Sequence, residues 1–170
     1  MAQLLTDAGH PELDIARELV QQCPHCGSRE HGPLRTASGL AVISVSYAGD
    51  LAVAAIASTT DAVALGVDVE HDRGPEPMTE LVALFAPQTP PGIRDWTMIE
   101  AVVKADGHGL RIPPNEVRLG EAGVVLPGSR RATIPGGAPV EVAPAPAPAG
   151  HLISVAIRPA ATGRAPESGR

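Results

Sequence analysis

A chain of 170 residues with 44% hydrophobic content has room for one domain or two small lobes around a real core, although Trp96, Tyr47 and Phe85 are its only aromatics, so aliphatic side chains must do the packing. The formal charge of −6 excludes nucleic acid as the main partner, since phosphate backbones need a basic face; an anionic ligand would need a local exception or a metal. No apolar run approaches the roughly 20 residues of a membrane span, and MAQLLTDAGH has neither the basic nor the apolar region of a signal peptide, so a cytoplasmic protein is expected.

In chain order, PELDIARELVQQ places Leu13, Ala16, Leu19 and Val20 at helical spacing behind Pro11, which predicts a helix with a strand as the alternative. CPHCGSREHGPL is rich in turn formers and cannot be regular structure. LAVISVS (40–46) and LAVAAIA (51–57) predict a hairpin turning at YAGD, where Gly49 is available for positive φ, and AVALGVDVE (62–70) predicts a third strand. Helical pattern follows at 78–85 and 95–106, the latter closed by Gly107 and Gly109. Strands are expected near 116–126, 139–143 and 151–157, the last behind the low-complexity APAPAPAG, with a disordered polar tail over 159–170. This order predicts an α+β fold.

Three places offer chemistry. Asp68 and Glu70 stand two apart in a strand, so their carboxylates share a face and suit a hard cation such as Mg²⁺; an edge strand with solvated acids is the competing reading. On the 95–106 helix, Trp96, Ile99 and Val103 form an apolar stripe flanked by Glu100 and Lys104, one turn apart. That pair reads as an ordinary ion pair until composition is considered: twelve arginines accompany one lysine, and a compact ammonium that reaches phosphate is not replaced by a guanidinium. The third place is Cys23 and Cys26, with His25 and His31 nearby. They read as idle thiols or as a zinc knuckle of Cys23, Cys26, His31 and one distant histidine.

These segments in this order resemble the 4'-phosphopantetheinyl transferases. GVDVE followed by W-T-x-x-E-A-x-x-K-A-x-G-x-G-L is similar to the family signature, and CPHCGSREHG before SVSYAGD resembles the C-x-x-C-G…H-G and S-x-S-H-x-G-D segments of the surfactin-type branch. The resemblance covers about residues 12–158. It implies two similar lobes forming a pseudo-dimer with the site in the cleft between them. The first lobe would be 1–70, shortened at its N-terminal side, and the second 71–158. It also implies a monomer that moves 4'-phosphopantetheine from coenzyme A onto a serine of an acyl, peptidyl or polyketide carrier protein. Asp68, Glu70 and Glu100 would hold Mg²⁺. Glu100 would also act as base, Lys104 would bind the pyrophosphate and the departing 3',5'-ADP, and Ser46 and Tyr47 would contact coenzyme A.

The chain departs from the family pattern in its cationic groups. Tyr47 stands where histidine is usual, Ile99 where a lysine precedes the metal-binding glutamate, and Pro33 where a basic residue follows the H-G pair. Affinity for coenzyme A should suffer, each charge-assisted contact being worth about 1.5–3 kcal/mol. A degenerate relative that binds carrier protein without catalysis, or serves another reaction, is the alternative.

Overall fold

The computed structural model describes residues 2–23 and 26–161. Strands β1 (Leu19–Gln21), β2 (Leu34–Thr36), β3 (Ala41–Ala48) and β4 (Leu51–Ser58) form a sequential antiparallel sheet. A second antiparallel sheet is built from β5 (Ala62–His71), β6 (Arg118–Ala122), β7 (Arg130–Thr133), β8 (Val140–Ala145) and β9 (His151–Pro159), in the order β5-β9-β8-β7-β6. The helices are α1 (Ala2–Asp7), α2 (Ile15–Glu18), α3 (Val82–Phe85) and the long α4 (Ile93–Asp106). The fold is α+β, as expected. None of the described helices is long and apolar enough to cross a membrane.

Several elements differ from the sequence reading. The helix expected in PELDIARELVQQ is a single turn, α2; the chain then becomes β1, with Leu19 opposite Thr36 and Val20 opposite Arg35. Leu19 and Val20 are exposed, so no buried stripe supports a longer helix, whereas β2 offers backbone partners. The 78–85 pattern divides into a 3₁₀ turn (Thr79–Leu81) and α3, of which only Phe85 is buried. Sequence reading missed α1, β2 and β7, and Leu34 of β2 falls in the stretch CPHCGSREHGPL, expected to hold no regular structure. The strand expected over 116–126 is shorter, and β8 runs into the Pro-Ala stretch. The polar tail from 162 lies outside the described residues. The strand that carries GVDVE, β5, pairs antiparallel with β9 in the second sheet, from Gly66 opposite Ala156 to Glu70 opposite Leu152.

Two glycines set the local geometry. Gly49 takes φ 60° in the two-residue loop between Ala48 and Leu51, a conformation that side chains resist. At Gly66, a Cβ would lie 2.0 Å from the Ala101 carbonyl oxygen and 2.6 Å from the Ala105 nitrogen, so α4 rests directly on the backbone of β5. The main core forms there, where Trp96, Ile99, Val102 and Val103 of α4 meet Val140, Val142 and Ala156 of the sheet. Phe85 stacks edge-on against Trp96, with centroids 6.1 Å apart.

Candidate active site

β5 is an edge strand, so part of its backbone has no strand partner. Side chains supply the missing bonds. The Ser44 hydroxyl of β3 accepts from the Val67 N–H at 2.9 Å, and the Ser46 hydroxyl accepts from the Val69 N–H at 3.3 Å. Because residues two apart share a face of β3, both serines reach the same edge and join the two sheets.

Lys104 enters this seam from α4. Its ammonium lies 2.7 Å from Asp68 Oδ1, 2.8 Å from Ser46 Oγ and 3.2 Å from the Val67 carbonyl oxygen, three acceptors for three N–H donors. Ser46 in turn donates to Asp68 Oδ1 at 2.9 Å. Asp68 is only 4% exposed. One of its oxygens is saturated in this way, and the other, Oδ2, is buried without a hydrogen-bond partner. The ordinary i,i+4 ion pair with Glu100, the competing reading of Lys104 in the sequence, is not what its ammonium forms: it pairs across the fold, with Asp68.

Glu70 and Glu100 flank this pair. Burial, followed by the negative charge of Asp68, pushes both carboxyls above their ordinary 4.5. At Glu70 the Trp96 indole N–H and the Arg73 and Lys104 charges offset part of the rise; at Glu100 Lys104 offsets and Glu70 adds to it. A divalent cation would relieve all of these costs. The donor set is oxygen only and includes an orphaned buried atom, which fits Mg²⁺. The carboxylate oxygens are not gathered as tightly as a second donor group elsewhere. Among the described residues, Cys23, Cys26 and His31 are the one set of three such side chains whose ligand atoms all lie within 4.8 Å of one another.

Ser46, Asp68 and Lys104 thus form one hydrogen-bonded group, with Glu70 and Glu100 near enough for its charges to act on them, while Tyr47 does not join it. It is 71% exposed on the opposite face of β3 from Ser46, as strand alternation requires. Ile99 is 5% exposed within the main core, so its position offers no place for a cation. Pro33 lines a cleft of about 250 Å³ between the sheets, with Leu34, Ser44, Leu65, Lys104 and Gly107. An adjoining cleft of about 310 Å³ shares Pro33, Leu34 and Gly107 and carries Arg35 and Arg158. Sequence reading missed these two arginines because neither lies in a motif; only the pairing of β2 and β9 into their sheets brings them to one trough. His25 lies outside the described residues. No family model and no curated protein matches the chain.

Proposed function

We propose that the protein transfers 4'-phosphopantetheine from coenzyme A to a serine of an acyl, peptidyl or polyketide carrier protein. The observation that carries this reading is the buried Asp68 carboxylate, held on one oxygen by Lys104 and Ser46, without a hydrogen-bond partner on the other, and close enough to Glu70 and Glu100 for its charge to raise both. In this reading the two sheets stand for the two lobes and the trough between them takes coenzyme A.

Asp68, through Oδ2, would hold Mg²⁺ with Glu70 and Glu100, and the ion would supply charge neutralisation of the pyrophosphate. The residues divide the remaining work. Glu100, whose affinity for a proton is raised, accepts the proton of the carrier serine hydroxyl. The serine oxygen then forms a bond to the phosphorus that bears the pantetheine arm, the bridging P–O bond of the pyrophosphate breaks, and 3',5'-ADP leaves with that electron pair. Lys104 sits on the cleft wall, where its ammonium turns from Ser46 to the charge developing on the leaving group. Arg35 and Arg158, at the far end of the trough, suit the nucleotide phosphates.

The test is incubation of the full chain with several apo carrier proteins, coenzyme A and Mg²⁺, read by intact mass. One added phosphopantetheine on one carrier serine is expected; unmodified carriers at millimolar coenzyme A would sink the transferase reading. Lys104 has all three donors engaged within the protein, which favours a second reading as a non-catalytic carrier-protein binder. Carriers that bind in a pull-down yet stay unmodified would select it.

A further inference from the structure

The segment between β1 and β2 holds a second donor group, distinct from the acidic one. Cys23 Sγ, Cys26 Sγ and a ring nitrogen of His31 lie within 4.8 Å of one another, and Cys26 Sγ is 3.3 Å from His31 Nε2. Zn–S bonds of about 2.3 Å and a Zn–N bond of about 2.0–2.1 Å give tetrahedral edges of about 3.6–3.8 Å. The side chains therefore stand close to the spacing the ion imposes.

The backbone is built to hold them there. Cys23 N–H donates to the Ser28 carbonyl at 2.8 Å, and Gly27 N–H to the Cys23 carbonyl at 2.9 Å, so the backbone next to Cys26 is tied to Cys23. Gly32 presses on the same spot: at φ 109°, a Cβ on it would lie 2.6 Å from the Cys23 Cα and nitrogen. Only glycine fits there, and its close approach delivers the preceding His31 to the cysteines. A hydrogen bond between Cys26 and His31 requires neither this approach nor the buried third donor, Cys23. Neither cysteine is in a disulfide.

We infer that Cys23, Cys26 and His31 bind one Zn²⁺, which pins these three residues and with them the adjoining Gly32–Pro33 wall of the Lys104 cleft. Two soft thiolates and an imidazole select zinc over Mg²⁺. Binding releases the two thiol protons to solvent, the histidine coordinates as the neutral ring, and a fourth position is left for water or a further donor. The wall is tied from the other side as well, by the Gln21 amide donating to the Gly32 carbonyl at 2.9 Å. The inference rests on this group alone and does not depend on the transferase reading.

The full chain, purified under reducing conditions without added metal, is expected to carry one equivalent of zinc by mass spectrometric metal analysis. After chelation, cobalt should restore a tetrahedral visible spectrum with a thiolate charge-transfer band in the near ultraviolet. Cys26 and His31 are exposed, so Cys26→Ser and His31→Ala should fold; their zinc content and charge-transfer band should fall by at least about tenfold, as expected when a ligand is removed. Arg29 lies exposed between Cys26 and His31, so trypsin should cut after it faster in the zinc-free protein and in both variants. Reduced protein that takes up no zinc, or a cobalt spectrum unchanged in the variants, would overturn the site. Zinc that binds without slowing the cut after Arg29 would overturn its role in holding the wall.

Discussion

Lys104 is where the composition becomes intelligible. One nitrogen reaches Asp68, Ser46 and the Val67 carbonyl, all within 3.2 Å, and the planar fork of arginine cannot place three donors around a single point. Lys104→Met should therefore cost about 3 kcal/mol in urea unfolding, because it strands the Asp68 carboxylate in a buried position. Adding Asp68→Asn should recover part of that loss, and strictly additive losses would show that the two groups do not act as a pair. Glu100 behaves in the opposite sense. Its carboxyl sits above 4.5 in the folded protein, so ionisation opposes folding at neutral pH and protonation removes the penalty. In chelator, Glu100→Gln should raise the melting temperature at pH 7 to 8, with the gain shrinking as the pH falls through the raised value toward 4.5. An equal gain at all pH values would place its cause outside this carboxyl.

Among the elements, α4 and β5 hold the site by direct backbone contact. Gly66→Ala would force a methyl into the Ala101 carbonyl, and the helix must retreat from the strand that carries Asp68. The expected loss is about 3 kcal/mol by chemical denaturation, at the upper end for overpacking. A change below about 0.5 kcal/mol, as at ordinary surface positions, would mean that α4 does not rest on β5 this closely. The β6–β7 connection has its own clamp in Glu141, which accepts the N–H groups of Val124, Val125 and Leu126 and the Ser129 hydroxyl. Burial works to raise its carboxyl, but the Val124 and Val125 N–H groups, the Ser129 hydroxyl and the Leu126 N–H outweigh it and hold the group at about 2. A depressed carboxyl stabilises the fold fully above the ordinary 4.5, and that contribution is lost as pH falls toward 2. Protection of the Val124–Leu126 amides, taken relative to their intrinsic exchange rates, should fall across that window, whereas Glu141→Gln should show low protection at every pH.

For the whole molecule, the seam between the sheets is the feature that joins stability to the site. Ser44 binds the Val67 N–H but none of the acidic groups, so Ser44→Ala isolates the joining role, leaving a buried donor unmet at a cost of about 1–3 kcal/mol. If the sheets are joined here, protection of β3 and β5 amides should fall together in hydrogen exchange; loss confined to β3 would contradict a shared seam. Local pattern in the sequence determined the long strands, α4 with its Gly107 stop, and the spacing of Asp68 with Glu70 and of Glu100 with Lys104, because each depends on a period of two or 3.6 residues within one element. Pairing across elements lay beyond its reach. That β5 joins β9, that Lys104 binds Asp68 instead of Glu100, that Ile99 is core while Tyr47 is exposed, and that Arg35 and Arg158 share a trough all depend on which segments meet. Tertiary structure decided these points, because buried charges choose partners by distance and available acceptors, and residues 36 apart in sequence, such as Asp68 and Lys104, become neighbours only once α4 is seated on Gly66.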